Sequence, residues 1–188
     1  MSPAAVSDAQ LIARVLVQDD RHAFGELVRR HQSAVRACLR KLTAGNHALA
    51  DDLAQETFLL AYRNLKSFRQ EAKFSTWLYR IAYNAFLGDI RKTKELQLSD
   101  DEDADDVTTS DDTATPVARA VALSIDLQRA MAVLSDAERA AIVQCYHNDL
   151  SHEEAAFVLG CPVGTVKTHI LRAKQKLKAR LGAWAPEN

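Results

Sequence analysis

Apolar residues recur at intervals of three and four along most of the chain, which is the spacing of an amphipathic helix. In the first half this pattern predicts four helices, over residues 8–18, 21–43, 47–66 and 73–92. Gly45 and Asn46 mark the break before the third helix. Runs of β-branched residues are rare throughout, so the sequence predicts an all-α fold.

The second half contains two clear helix start signals. Ser135 with Glu138, and Ser151 with Glu154, both match S-x-x-E, in which the hydroxyl and the carboxylate cap free backbone N–H groups reciprocally. The segment LGCP, residues 159–162, then supplies a glycine for a left-handed turn and a proline for the first turn of a new helix. We therefore predict a short helix over 151–158, a tight turn, and a longer helix from 162, which is a helix-turn-helix arrangement.

The last predicted helix has one apolar and one polar face. The apolar stripe contains Val163, Val166, Ile170, Ala173, Leu177 and Leu181. The opposite face carries Thr165, Thr168, His169, Arg172 and Lys176. Between residues 165 and 182 there are six basic side chains and no acidic one. Hydroxyl and guanidinium groups suit base edges and lysines suit phosphates, so this helix is predicted to bind duplex DNA.

A stretch near the middle of the chain, residues 74–86, holds five of the twelve aromatic residues. On a helix Trp77 and Ile81 fall on one face, and Tyr79, Tyr83 and Phe86 fall on nearly the opposite one. One apolar stripe is enough for a surface helix, so this helix is either sandwiched between neighbours or keeps aromatic surface for an outside partner. We expect Trp77 and Ile81 in the core and the Tyr79 face against preceding helices.

The net charge of −1 hides an uneven distribution. Residues 99–118 contain eight acids and no Lys or Arg, so the rest of the chain has 24 bases against 17 acids. Dense like charges resist collapse, which predicts a flexible acidic linker over residues 95–117. It separates two predicted domains, residues 8–94 and 118–182, and the basic balance outside it favours nucleic acid as a partner.

Cysteine spacing and hydropathy exclude several classes of protein. Cys38, Cys145 and Cys161 are far apart and form no CxxC pair, so neither a disulfide framework nor a metal site is expected. The first twenty residues lack the apolar core of a signal peptide, and no apolar run is long enough to span a bilayer. We expect a cytoplasmic protein without cofactor, metal or membrane insertion.

Two long segments resemble a known family. DDLAQETFLLAYRNLKSFRQEAKFSTWLYRIAYN, residues 51–84, resembles region 2 of bacterial sigma factors, and LSHEEAAFVLGCPVGTVKTHILRAKQKLKARL, residues 150–181, resembles their region 4. Both are similar to the extracytoplasmic-function (ECF) group of the sigma-70 superfamily, which keeps only these two domains. The resemblance implies that residues 8–94 bind core RNA polymerase and melt the −10 element, and that residues 118–182 read the −35 element.

The resemblance also implies roles for individual residues. The outward face of the third helix would dock on the clamp helices of the largest polymerase subunit, through Asp52, Gln55, Glu56, Leu59 and Arg63. Phe68 and Asn84 match the family's pocket for unpaired −10 bases, with Lys73, Arg80 and Arg91 holding phosphates nearby. The −35 readers fall on Thr165, Lys167, Thr168, His169 and Arg172, with Lys176 alongside. At one of these positions the sequence departs from the family pattern, since His169 stands where many relatives carry Arg.

The resemblance implies further partners. Region 4 would contact the flap of the second-largest polymerase subunit, and an anti-sigma factor would cover the polymerase-facing surfaces. The linker acids would imitate nucleic acid in the polymerase channel or serve as a passive tether; they are Asp100, Asp101, Glu102, Asp103, Asp105 and Asp106.

No nucleophile–base pair, metal cluster or phosphate-binding glycine loop is visible in the sequence, so we do not expect an enzyme. The alternative function is a stand-alone helix-turn-helix regulator with a helical sensor domain, which binds intact duplex without polymerase.

Overall fold

The computed structural model of the chain describes residues 6–97 and 129–182, and every regular element in these ranges is helical. The elements in order are α1 (Asp8–Gln18), α2 (Arg21–Leu42), α3 (His47–Asn64), a 3₁₀ turn (Leu65–Ser67), α4 (Phe74–Gln97), α5 (Asp136–Ile142), a π-helical turn (Val143–His147), α6 (His152–Leu159) and α7 (Val163–Gly182). We call residues 6–97 the first unit and residues 129–182 the second unit. The all-α prediction is confirmed.

Side-chain caps set the starts of the helices, as short-range sequence signals indicate. Ser7 begins α1 with a reciprocal capping box, and the carboxylate of Asp20 and the amide oxygen of Asn46 accept backbone N–H bonds at the starts of α2 and α3. Both boxes predicted in the second half are present, at Ser135 and Ser151. Each cap satisfies a backbone donor that has no partner within its own helix.

In the first unit α2, α3 and α4 all pack against one another, and α1 packs against α2. The inward residues of α3 are buried as predicted: Ala50, Leu53, Ala54, Thr57 and Ala61. Four of the five are Ala or Thr, whose small side chains let the neighbouring helices approach closely. Large aliphatic residues from α2 and α4, such as Leu39 and Leu78, fill the remaining space and have no exposed surface.

Helix α4 is sandwiched, which decides between the two alternatives raised by its aromatic residues. Tyr79, Tyr83 and Phe86 are all more than nine-tenths buried. The prediction that Trp77 and Ile81 lie in the core is only partly right, since both remain partly exposed at its margin. Helix α4 contacts α2, α3 and α6 of the second unit, and Trp77 and Ile81 stay partly exposed because they line a cavity beside it.

The second unit is a compact helix-turn-helix. Helix α6 ends at Gly160, whose φ of 64° is the left-handed conformation predicted for it, and α7 begins directly after Pro162. A small core joins α5, α6 and α7 through Ala141, Ala155, Val166 and Ile170. Of the stripe predicted on α7, Val166, Ile170 and Ala173 are buried, and Val163 and Leu177 are partly buried.

The two units pack against each other instead of standing apart. Val143 and Val158 of the second unit belong to the same buried cluster as the core of the first. Hydrogen bonds cross the boundary as well: Arg139 donates to the carbonyl of Leu42, and Asn148 donates to the sulfur of Cys38. Sequence periodicity predicts two domains, but it carries no information about this contact.

Helix α4 continues to Gln97, three residues into the stretch predicted as linker, because no glycine or proline interrupts it there. The rest of the predicted linker, with all six of its singled-out acids, lies outside the described residues, as do residues 118–128 of the predicted second domain.

Candidate nucleic-acid and partner interfaces

A cavity of about 350 Å³ lies beside α4 and the loop that precedes it. We call it the α4 pocket; its lining residues are Asn64, Ser67, Phe68, Arg69, Glu71, Ala72, Trp77, Arg80, Ile81, Asn84 and Phe157. Its volume is at the lower end of the range for small-molecule sites, roughly 300–1,000 Å³. A site of this size suits a group as small as one nucleobase.

Aromatic packing positions Phe68 at the wall of this pocket. Its ring centroid lies 5.5 Å from that of Phe74 and 5.3 Å from that of Trp77. The 3₁₀ turn before it is closed by a bond from the N–H of Phe68 to the carbonyl of Leu65. Phe68 is thus a partly exposed ring supported from behind by two other aromatic rings, and this arrangement is suited to stacking with a nucleobase.

Three of the five residues predicted for −10 contacts come together here. Phe68, Arg80 and Asn84 all line the pocket, with Asn84 and Arg80 on exposed positions one turn apart on α4. Lys73 and Arg91 do not line it, although both are exposed. Arg91 follows Asn84 by two helical turns on the same face, about 10 Å along the axis. The geometry therefore separates pocket-lining groups from more distant cations.

Helix α3 presents a second surface on the far side of its buried face. All five residues predicted there are exposed: Asp52, Gln55, Glu56, Leu59 and Arg63. Leu59 retains 59% of its accessible surface, which is high for a large aliphatic side chain. Next to it a groove of about 740 Å³ runs between α2 and α3, lined mainly by Phe24, Val28, Phe58, Leu59 and Tyr62. We call this the α3 groove, and it has the apolar centre and charged rim of a protein-binding surface.

The exposed face of α7 forms a third surface, which we call the recognition face. Lys167, Thr168, Arg172 and Lys176 are exposed on it, while Thr165 and His169 are partly buried. The hydroxyl of Thr168 donates to the carbonyl of Gly164 at 2.9 Å, so it meets an outside group only as an acceptor or by exchanging partners. Its position in the N-terminal half of α7, among basic side chains, is suited to a DNA groove.

Lys176 has a partner that sequence analysis missed. Its ammonium nitrogen lies 2.7 Å from a carboxylate oxygen of Glu138, whose side chain is only 6% exposed. Burial alone would raise the pKa of Glu138, but the bonds from Lys176 and from the backbone of Ser135 more than offset it and hold the pKa below its usual value. Lys176 therefore stabilises the second unit, and a phosphate must compete with Glu138 for it.

Comparison with known proteins identifies the family. Residues 27–95 match sigma-70 region 2, and residues 124–177 match sigma-70 region 4. The chain is 38% identical over 176 residues to the ECF RNA polymerase sigma factor SigM of Mycobacterium tuberculosis, covering 94% of this chain and 85% of that protein. It is also 38% identical over 171 residues to SigW of Bacillus subtilis, covering 86% and 90% of the two chains. The chain belongs to the ECF sigma factors of the sigma-70 family.

Solved structures agree with this assignment. The sigma factor RpoE of Bartonella quintana, crystallised with the anti-sigma factor NepR, superposes with a TM-score of 0.67 at 26% identity, covering 85% of this chain and 96% of that one. CnrH, solved with the cytosolic domain of CnrY, superposes with a TM-score of 0.66 at 29% identity, covering 95% and 99%. The two-domain helical fold predicted from the sequence is thus the fold of this sigma factor family.

Sequence analysis of this ECF sigma factor missed several pocket and groove residues. Phe157 belongs to α6 in the second unit, yet its ring packs 4.5 Å from the guanidinium of Arg80 and closes one side of the α4 pocket. Phe24 and Tyr62, which build the α3 groove, stack edge to face at 4.9 Å. Phe24 and Val28, two apolar residues one turn apart on a face of α2 that also carries Gln32 and Arg36, were the signal in the sequence that could have indicated the groove.

The described ranges hold neither a metal-binding cluster nor a membrane-spanning helix. Residues 6–97 and 129–182 contain no cluster of three His, Cys, Asp or Glu side chains arranged to hold a metal ion. In the same part of the chain, no helix combines the length and apolar character that crossing a bilayer requires.

Proposed function

We propose that this ECF sigma factor starts transcription at specific promoters by binding core RNA polymerase through its first unit and duplex DNA through its second. Family membership supports an initiation role as a whole. The finer division of labour among the three surfaces is the part that experiments must test. The proposal rests chiefly on the α4 pocket, where a partly exposed phenyl ring, a guanidinium and a carboxamide meet.

The pocket suits a base that has left the double helix. Flipped bases are bound by stacking on an apolar ring and by hydrogen bonds to their edges. Phe68 supplies the ring, the Asn84 carboxamide supplies both a donor and an acceptor, and Arg80 supplies a cation for the adjoining phosphate. Lys73 and Arg91 extend this positive charge along the strand beyond the pocket.

The α3 groove suits the polymerase itself. An exposed Leu59 surrounded by Asp52, Gln55, Glu56 and Arg63 is an apolar anchor within a polar rim, which is the usual layout of a protein interface. We assign this face to the clamp helices of the largest subunit and assign the second unit to the flap of the second-largest subunit.

The recognition face suits the −35 duplex. Arg172 is free to reach a base edge, Thr165, Lys167, Thr168 and His169 lie around it, and Lys176 becomes a phosphate contact when it leaves Glu138. Polymerase performs the chemistry in this scheme, so we do not assign the chain an enzymatic activity. The cytoplasm, where polymerase and chromosome meet, is its proposed location.

An anti-sigma factor is the proposed regulator. RpoE of Bartonella quintana and CnrH were each solved with such a protein or with the cytosolic domain of a partner. Because this chain superposes on both across most of its length, we propose that it takes a partner of the same class over the α3 groove. The stand-alone regulator is not favoured, because residues 27–95 match region 2.

Run-off transcription with sigma-free core polymerase and a pool of genomic upstream fragments tests the proposal. We expect discrete transcripts only when the chain is added, with a shared −35 and −10 pattern upstream of their start sites. If the chain instead binds those fragments tightly without polymerase and yields no transcripts, it is a regulator of duplex DNA and the proposal is wrong. The protein alone should show no turnover of nucleotides.

A further inference from the structure

We propose that a third cavity, distinct from the α4 pocket and the α3 groove, binds an alkyl carboxylate, with the apolar tail inside the cavity and the carboxylate at its basic rim. The inference goes beyond the proposed function, because its evidence and its test involve neither polymerase nor DNA.

This cavity, which we call the boundary pocket, has a volume of about 480 Å³ and is lined by both units. The first unit contributes the end of α2, the loop after it and the first residue of α3, His47. The second unit contributes Met131, the junction of α5 with the π-helical turn, and Leu177 of α7. The volume lies within the range of small-molecule sites, roughly 300–1,000 Å³, and such sites often lie between domains.

The interior of the boundary pocket is aliphatic. Val143 is buried there, and Met131, Ile142 and Leu177 are partly buried. Met131 has three rotatable bonds and adapts its shape easily to a ligand. Transfer of an alkyl tail from water to such a surface is favourable, so the interior is suited to an apolar group.

The rim of the boundary pocket is basic. Four basic side chains line it, and within the described ranges no acidic side chain does: Arg40, Lys41, His47 and His147. All four are exposed, so they surround the opening and not the interior. Arg40 lies 3.6 Å from Asp51, but Lys41 forms no ion pair with any carboxylate in residues 6–97 and 129–182.

The rim cations lie close enough to repel one another. Burial of part of the ring, together with the neighbouring ammonium of Lys41, lowers the pKa of His147. The ammonium of Lys174 adds a further positive charge, 4.9 Å from the ring centre of Tyr146, which also lines the pocket. A carboxylate placed at this rim interacts favourably with several cations at once.

The backbone around the rim does not oppose an anion. The C-terminus of α2 is the negative end of a helix dipole, but its last carbonyls already have donors. The carbonyl of Arg40 accepts a bond from the N–H of Gly45 at 2.9 Å. The carbonyl of Leu42 accepts a bond from the guanidinium of Arg139 at 3.1 Å. Helix α3 begins at the same rim and turns its positive end towards it.

Titration of the full chain with dodecanoate, below the concentration at which it forms micelles, tests the proposal by calorimetry. We expect one site with a dissociation constant in the micromolar range. At about one hundred times that concentration the melting temperature should rise by roughly 5–10 °C, because the ligand binds only the folded chain. Absence of saturable binding overturns the proposal.

A ligand with the same tail and a cationic head, dodecyltrimethylammonium, tests the role of the rim. We expect it to bind at least about tenfold more weakly than dodecanoate, since the rim repels it. Equal affinity for the two ligands shows that only the tail is recognised and overturns the proposal.

Lys41→Glu and Lys66→Glu form a matched pair, because both reverse one exposed lysine and Lys66 lines neither the boundary pocket nor the α4 pocket nor the α3 groove. Lys41→Glu should weaken dodecanoate binding at least about tenfold, whereas Lys66→Glu should change it less than about twofold. Equal effects of the two variants contradict binding at this rim.

The methyl signal of Met131 locates the tail without relying on a charge change. The signal is assigned in a ¹³C-methyl-methionine sample as the one that Met131→Leu removes. We expect dodecanoate to shift it and to show nuclear Overhauser contacts from the tail to this methyl group. Binding that leaves the Met131 signal unmoved places the ligand elsewhere and overturns the proposal. Phosphatidylglycerol vesicles should not shift the signal; a shift with vesicles and none with dodecanoate indicates a bilayer surface in place of a free carboxylate and also overturns it.

Discussion

Replacing Phe68 by alanine separates the two roles that the structure gives this ring. As a structural group, Phe68 packs against Phe74 and Trp77 at 5.5 and 5.3 Å. Each aromatic pair contributes about 0.5–1.5 kcal/mol beyond area burial, so Phe68→Ala should lower the free energy of unfolding by roughly 1–3 kcal/mol. As a base-stacking group, it should stabilise the melted −10 strand by a further 1–3 kcal/mol or so.

The second figure corresponds to a loss of between about 5- and 150-fold in promoter opening. The assay is the opening rate of reconstituted holoenzyme on a promoter mapped by run-off transcription, with a fluorescent base analogue in the −10 element. The melting temperature of the free chain, measured in parallel, reports the structural loss.

Phe68→Leu is the matched control. Leucine keeps most of the apolar volume, so the stability loss should stay below about 1.5 kcal/mol, but it offers no ring face to a base. We expect Phe68→Leu to open promoters nearly as slowly as Phe68→Ala. If both variants open promoters at the wild-type rate while still binding them, the pocket does not capture a base and the assignment is wrong.

The other two surfaces and the ion pair beneath the recognition face give three further predictions. Leu59→Asp should abolish co-migration with core polymerase on a sizing column, because it places a charge at the apolar centre of the interface, whereas Val17→Asp, at an exposed site elsewhere, should not; equal binding by both refutes the α3 assignment. Arg172→Ala should lose about 1–3 kcal/mol of discrimination at one −35 position, measured by competition binding of holoenzyme to base-substituted promoters, and unchanged preferences would exclude Arg172 as a reader. Lys176→Ala should lower the free energy of unfolding by about 1–2 kcal/mol, since it leaves the Glu138 carboxylate without its cation. Because the pKa of Glu138 is depressed in the folded chain, the stabilisation from this pair is present above the ordinary Glu pKa and is lost as pH falls through the folded value; acid unfolding followed by circular dichroism should show Lys176→Ala and wild type converging at low pH.

Local signals in the sequence were sufficient for most of the helical framework. The predicted helices over 8–18, 21–43 and 47–66 differ from the observed ones by at most two residues at either end. The inward and outward faces of α3 were also correctly predicted. Periodicity and capping depend on residues three or four positions apart, so both can be recognised in the sequence without any knowledge of tertiary contacts.

Family resemblance added what periodicity could not. Nothing in the spacing of Phe68 and Asn84 indicates that they share a pocket, because they lie on different elements separated by the loop before α4. The resemblance pointed to both residues, and the structure places them in one cavity. It did not distinguish Lys73 and Arg91, which lie outside that cavity, from Arg80, which lines it.

The sequence by itself determined the helices, their caps and their buried faces. It also determined the uneven distribution of charge, with an acidic stretch between the two halves of the chain. Only the tertiary structure decided that Phe157 closes a pocket in the other unit, and that Asn148 bonds to Cys38 across 110 residues of sequence. Such contacts depend on how two finished surfaces meet, and no local pattern encodes that. Side chains at the meeting surface, Trp77 and Ile81 included, are for this reason the ones whose surroundings the sequence predicted least well.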